Sequence, residues 1–218
     1  MSSLDLLIYL LIGFVASMLG SMSGLGGGFL AIRLLTIVYG DVKMIVGSVK
    51  FMVFVNSLGS TVRYSRRIKI PLDIYMFVVV PMLISSYIGA YLVAILPVSV
   101  ISLVLGSVLI ALSLLMIVKP PGEVKQSRGL TSTRGKYVLS ALSGFTSGLL
   151  AGITGLGGGV VNVPVFVYLL RLSPHDAVSL SMACILPSSL SSTVRHYIDN
   201  IIDWYIAIPL GIGAVIGG

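Results

Sequence analysis

The sequence predicts an all-α, polytopic membrane protein made of two inverted-topology repeats with Gly-broken helices. Composition, the recurrence of long apolar stretches and a glycine motif written twice predict it. Of 218 residues, 56% are hydrophobic and 10% charged, and the mean hydropathy of +1.08 exceeds what a soluble domain needs for its core. Apolar stretches run from Leu4 to Ser23, Met44 to Val62, Pro71 to Leu96, Val98 to Val118, Tyr137 to Thr154 and Ala177 to Val194. A helix needs roughly 20 such residues to cross hydrocarbon. The weak alternation in segments of about 10 residues that marks a spanning barrel is absent.

Taken in order, the N-terminus Met-Ser-Ser-Leu-Asp lacks a positive region and a cleavage pattern, so Leu4 onwards reads as a first helix and not a signal peptide. Gly24-Leu25-Gly26-Gly27-Gly28 then breaks the helix, and the motif recurs 131 positions on as Gly155-Leu156-Gly157-Gly158-Gly159. Ser60-Thr61-Val62-Arg63-Tyr64 answers to Ser192-Thr193-Val194-Arg195-His196 at 132 positions, and Pro81 with Ile88-Gly89-Ala90 to Pro209 with Ile216-Gly217-Gly218 at 128. Each repeat therefore reads as a long helix, a glycine break, a short apolar segment (Phe29 to Tyr39; Val160 to Leu170), a helix ending at Arg63 or Arg195, and a further helix. The predicted organisation is a first transmembrane repeat over 1–118, a basic cytoplasmic loop over 119–136, and a second repeat over 137–218. The second repeat has no counterpart of the fifth helix, Val98 to Val118. A helix ending Ile-Gly-Gly without cap or basic flank reads as C-terminally incomplete.

The net charge of +7 is concentrated in two short loops: Arg63, Arg66, Arg67 and Lys69 in one, Lys119, Lys125, Arg128, Arg134 and Lys136 in the other. Between spans this is the positive-inside signal of cytoplasmic loops in a cell membrane, not a nucleic-acid surface. Five apolar segments separate the Arg63 loop from the Arg195 loop, and an odd number places them on opposite faces. The count stays odd if a broken helix and its short partner form a re-entrant pair. Residues 195–203 set Arg195 against Asp199 and Asp203, in keeping with the opposite face. Inverted repeats with broken helices are a transporter architecture, its site near the midplane.

The second break has Pro164 five residues after its last glycine, followed by a helix opened by Pro174-His175-Asp176-Ala177. This pattern resembles the TauE/SafE family of sulfite exporters and related anion permeases over nearly the whole chain. In the first repeat Arg33 stands at the position matching Pro164. The resemblance implies a carrier of small sulfur-containing or organic anions such as sulfite or sulfonates.

The residues themselves support an anion. Interior glycines weaken a helix by about 1 kcal/mol each, and the unwound backbone in lipid must be satisfied by protein, water or ligand. Half-helix N-termini offer free N–H groups and partial positive charge. The candidate substrate-binding residues are accordingly Gly24, Gly26, Gly27 and Gly28 of the first break, and Gly155, Gly157, Gly158 and Gly159 of the second. Asn162 in the second short segment joins them. Close helix packing through small residues is the competing explanation of the glycines. Lys50, Ser57 and Thr61 lie within about 20° of one helix face, and Ser181, Ser188 and Ser192 repeat the stripe. They read as lining the path or as hydrogen-bond ties between helices. Arg33, in a short apolar segment, is expected to contact the anion, while Lys50 either faces substrate or snorkels to the interface near Lys43.

All seven acids fall at segment ends or in loops, which tips the substrate towards negative charge. His175 and His196 flank loops without a ligand set, Cys184 is alone, and no nucleophile, base and orienting acid can be assembled. The expected protein has no catalytic residues, no metal and no cofactor. Its partners are a small anionic substrate, a coupling ion (H+ or Na+) and the lipid bilayer, with no nucleic acid. A passive anion channel and a non-transporting scaffold are the alternatives to a secondary carrier.

Overall fold

A computed structural model describes residues 3–39, 41–65, 72–118 and 133–218. The expected basic loop positions Arg66, Arg67, Lys69, Lys119, Lys125 and Arg128 lie outside the described residues. The described chain is helical throughout: α1 (Ser3–Ser23), α2 (Gly28–Val38), α3 (Val42–Ser65), α4 (Leu72–Ile95), α5 (Val98–Val118), α6 (Thr133–Thr154), α7 (Gly159–Pro164, continued by a π-helical turn Val165–Leu169), α8 (Pro174–Ile198) and α9 (Trp204–Gly217). Five of these, α1, α3, α4, α6 and α8, are long and apolar enough to cross a membrane. The protein is a multi-pass integral membrane protein, and exposed Leu11, Ile84, Ile88 and Leu142 give it an apolar exterior.

Local chemistry sets the ends. Ser173 accepts a hydrogen bond from the Asp176 amide at 3.1 Å with Pro174 at the first helical position, which starts α8. Asp203 caps α9 by accepting from the Tyr205 amide at 2.9 Å. The Asp41 carboxylate accepts from the Lys43 amide at 3.0 Å and so starts α3. At the other end of α8, Arg195 pairs with Asp199 at 2.6 Å, and the chain turns through Asn200 at φ 55°. α8 thus runs to Ile198, past the expected end at Arg195.

The halves interleave. α1 packs along α9 and α6 along α4, so the first helix of each half lies against the last matched helix of the other. Glycine makes both contacts close. A Cβ at Gly13 would strike the Leu210 carbonyl and one at Gly213 the Leu10 carbonyl, while on α6 Gly144 and Gly148 press against the Val78 and Met82 carbonyls.

α3 and α8 form the centre. Ser57 and Ser189, 132 positions apart, meet there with 3.4 Å between hydroxyl oxygens. The start of α3 lies by the end of α8, where Gly47 abuts the Ile201 carbonyl and Ser48 Oγ donates to the Asp203 carbonyl at 3.1 Å. At the opposite end the Tyr64 and His175 rings meet edge-on, 6.0 Å between centroids. α3 and α8 therefore cross antiparallel about the serine contact. Val49, Met52, Val53, Met82, Leu156 and Ile185 fill the core around it.

Candidate functional site

The two glycine breaks meet beside this crossing. Gly24, Gly26 and Gly27 hold φ of 73°, 83° and 81°, and Gly155, Gly157 and Gly158 repeat them at 72°, 91° and 85°, a conformation that L side chains rarely adopt. Contacts between the breaks are reciprocal. A Cβ on Gly28 would strike the Gly155 carbonyl and one on Gly159 the Gly24 carbonyl, while an added Cβ on Gly26 or Gly157 would stand 3.7 or 3.6 Å from the other's Cα. Equivalent residues touch each other, as about a local two-fold axis. The glycines are thus required by the packing of one break on the other. α2 and α7 start at Gly28 and Gly159 with no side-chain cap, and among the described residues no acceptor meets the amides of Gly27, Gly157 and Gly158.

Lys50 stands next to the breaks. It is 0% exposed, and its ammonium donates to the Ala151 carbonyl, in the last turn of α6, at 2.8 Å. Among the described residues no carboxylate pairs with it, and Asp199 is engaged by Arg195. It does not snorkel, because the crossing of α8 over α3 buries it. Asn162, at the start of α7, is also fully buried: its amide meets the Met82 sulfur at 3.5 Å, and its Oδ1 has no partner. Arg33 is placed differently. The buried face of α2 carries Ala31, Ile32 and Leu35, and Arg33 lies about 150° around the helix from it, exposed and outside the buried polar set.

The serine stripes are buried and tied to carbonyls. Ser57 Oγ donates to the Phe54 carbonyl at 2.8 Å, Ser181 to the Gly24 carbonyl at 2.8 Å and Ser188 to the Ile185 carbonyl at 3.2 Å. The Ser181 bond joins α8 to the first break.

Two features were missed from sequence. Asn56 donates to the Gly26 carbonyl at 3.0 Å and accepts from Ser21 Oγ at 2.8 Å, which in turn accepts from Ser60 Oγ at 3.0 Å. This chain leads from the first break to a cavity of about 280 Å³ lined by Ser21, Ser60, Arg63, Tyr64 and His175. A mid-span amide was the available signal. The other is His196, expected beside a loop and instead 0% exposed, with neither ring nitrogen partnered.

Lys50 is thus a fully buried basic group beside two glycine-broken helices of a membrane protein. The sequence profile described as sulfite exporter TauE/SafE matches residues 9–218. The chain belongs to the TauE/SafE family. Its similar proteins include the probable membrane transporter protein YunE of Bacillus subtilis, 29% identical over 99% of this chain and 86% of that protein. The probable membrane transporter protein MJ0441 of Methanocaldococcus jannaschii is 28% identical over 94% of this chain and 79% of its own length. A probable membrane transporter protein of Haemophilus influenzae is 23% identical over 98% and 83%. No solved structure matches. As a TauE/SafE member the protein is a membrane transporter, in a family of transporters and not of enzymes.

Proposed function

We propose that this transporter is a secondary carrier of a small oxyanion, a sulfite or sulfonate, and that it exposes a site at the meeting of the two glycine breaks alternately to each side of the membrane. The observation that carries this reading is Lys50. An unpaired ammonium in a low-dielectric interior is strongly disfavoured, and one neutral carbonyl does not balance it. A site that holds a positive charge with no acid in reach among the described residues is built for an anion that comes and goes. The unpartnered amides of Gly157 and Gly158 and the free Asn162 Oδ1 lie on the same side of the crossing and offer further polar groups.

Two 11-residue segments, Gly28–Val38 and Gly159–Leu169, support the inverted-repeat reading. Each is about 16 Å long, half the hydrocarbon thickness. The antiparallel crossing of α3 and α8 is what inversion requires of matched helices.

Uptake of labelled sulfite and of a labelled sulfonate into proteoliposomes tests the function. A carrier saturates and shows counterflow when unlabelled anion is loaded inside. Linear, counterflow-free flux would establish a channel instead, and absence of any anion flux would leave a scaffold.

Topology has its own expected result. With Cys184 replaced by Ala, single cysteines at Ser65 and Asn200 should react oppositely with an impermeant thiol reagent on intact cells, Asn200 labelled and Ser65 protected as cytoplasmic. Equal labelling of the two would remove the inversion.

A further inference from the structure

Lys50 lies seven residues before Ser57 on α3, and His196 lies seven after Ser189 on α8, about 10 Å of helix in each case. Because these helices cross antiparallel at the two serines, the crossing brings Lys50 and His196 to the same level. Building on the anion-carrier reading above, we propose that His196 is the proton carrier of this transporter, taking up a proton as the anion binds and giving it up as the anion leaves.

His196 is fully buried, and both Nδ1 and Nε2 lack partners. A buried polar group left unmatched is costly, and a ligand in contact with the ring removes that cost. Its repeat counterpart Tyr64 has a use for its polar end, donating from its hydroxyl to the Ser21 carbonyl at 3.1 Å. The charged groups around His196 are accounted for. Lys50 faces it from α3. Arg195, on its own helix, is engaged by Asp199 and lies over the Tyr91 ring of α4 at 4.5 Å and the Tyr87 ring at 5.5 Å. Asp203, beyond α8, accepts from the Tyr39 hydroxyl at 2.9 Å.

Lys50 opposes a second positive charge beside it, and an anion in the site favours one. Anion occupancy and protonation of His196 therefore reinforce each other, and by linkage the reinforcement is reciprocal. The proton enters from the side on which the anion enters, forms an N–H bond at the free imidazole nitrogen, and is released from it to water where the anion leaves.

The test uses methanesulfonate, which stays ionised over the working range so that any pH dependence belongs to the protein, with sulfite alongside. Binding to the purified wild-type protein should weaken as pH rises from about 6 to 8, approaching tenfold per unit where one proton must bind with the anion. In proteoliposomes a trapped pH dye should report acidification that accompanies anion entry. His196→Gln, and independently His196→Asn, each confirmed monodisperse with a cooperative thermal transition, should bind with little pH dependence and move anion without acidification. A wild-type slope retained in either folded variant overturns the assignment, as does wild-type anion flux without proton movement, and both outcomes leave the carrier reading standing. Failure of the wild type to bind or move either anion overturns the carrier reading itself and this inference with it.

Discussion

Lys50→Met should give a protein that inserts and folds but has lost its anion. The ammonium is the buried positive charge at the glycine breaks, and a hydrogen bond to a charged group contributes about 1.5–3 kcal/mol, so affinity for sulfite or sulfonate should fall by roughly 10- to 100-fold or more. The substitution is mild sterically, since Met182 occupies the matching position 132 residues on and is itself 0% exposed. Removing an uncompensated buried charge should also leave the thermal midpoint unchanged or raise it. Weaker binding with undiminished stability is the signature of a residue kept for a ligand. Arg33→Gln provides the contrast: an exposed side chain on the far face of α2 should leave affinity where it was. Normal binding by folded Lys50→Met, or a loss confined to Arg33→Gln, would move the site away from the crossing.

Lys50 is buried and Arg33 exposed, the reverse of what depth along each helix suggests. Sequence gives depth along a helix, and by depth Arg33, alone in a short apolar segment, is the more demanding charge. Rotation about the helix decides which charge is buried, and in α2 the apolar residues surround Arg33 on all sides, so periodicity does not choose a face. Lys50 sits close enough to Lys43 for an interfacial role to be sterically open. What forbids it is the passage of α8 over α3, a contact between residues more than 120 positions apart.

His196 fell outside the candidates for a related reason. Matching Arg195 to Arg63 ends the predicted helix at Arg195 and makes a loop residue of an imidazole that α8, running to Ile198, places in the core. By contrast, the spans and the position of both breaks were legible, because composition, hydrophobic length and a glycine cluster act locally and need no partner to be recognised. The interleaving of α1 with α9 and α6 with α4 was not legible, since a glycine that admits a close neighbour does not say which neighbour comes.

The glycine breaks supply the other large effect. Gly157→Val should abolish transport and lower thermal stability together. At φ 91° a β-branched residue is strained by roughly 1–3 kcal/mol. Its Cβ would also stand 2.8 Å from the Leu25 carbonyl oxygen and 3.2 Å from Val53 Cγ1. Relief requires the second break to back away from the first, and Gly26 lies directly across the contact, so the displacement is shared by both. By the same reciprocity Gly26→Val, at φ 83° and with its Cβ 3.2 Å from Val53 Cγ1, should reproduce the phenotype from the other half. Gly106→Ala is the control, because its Cβ meets nothing within 4 Å on α5, and replacing an interior helical glycine there should stabilise by up to about 1 kcal/mol without touching transport. Matched damage from Gly26→Val and Gly157→Val is what a shared, two-fold packing of the breaks demands. If one variant transports normally while the other fails, the breaks act separately, and the site has to be sought at one of them alone.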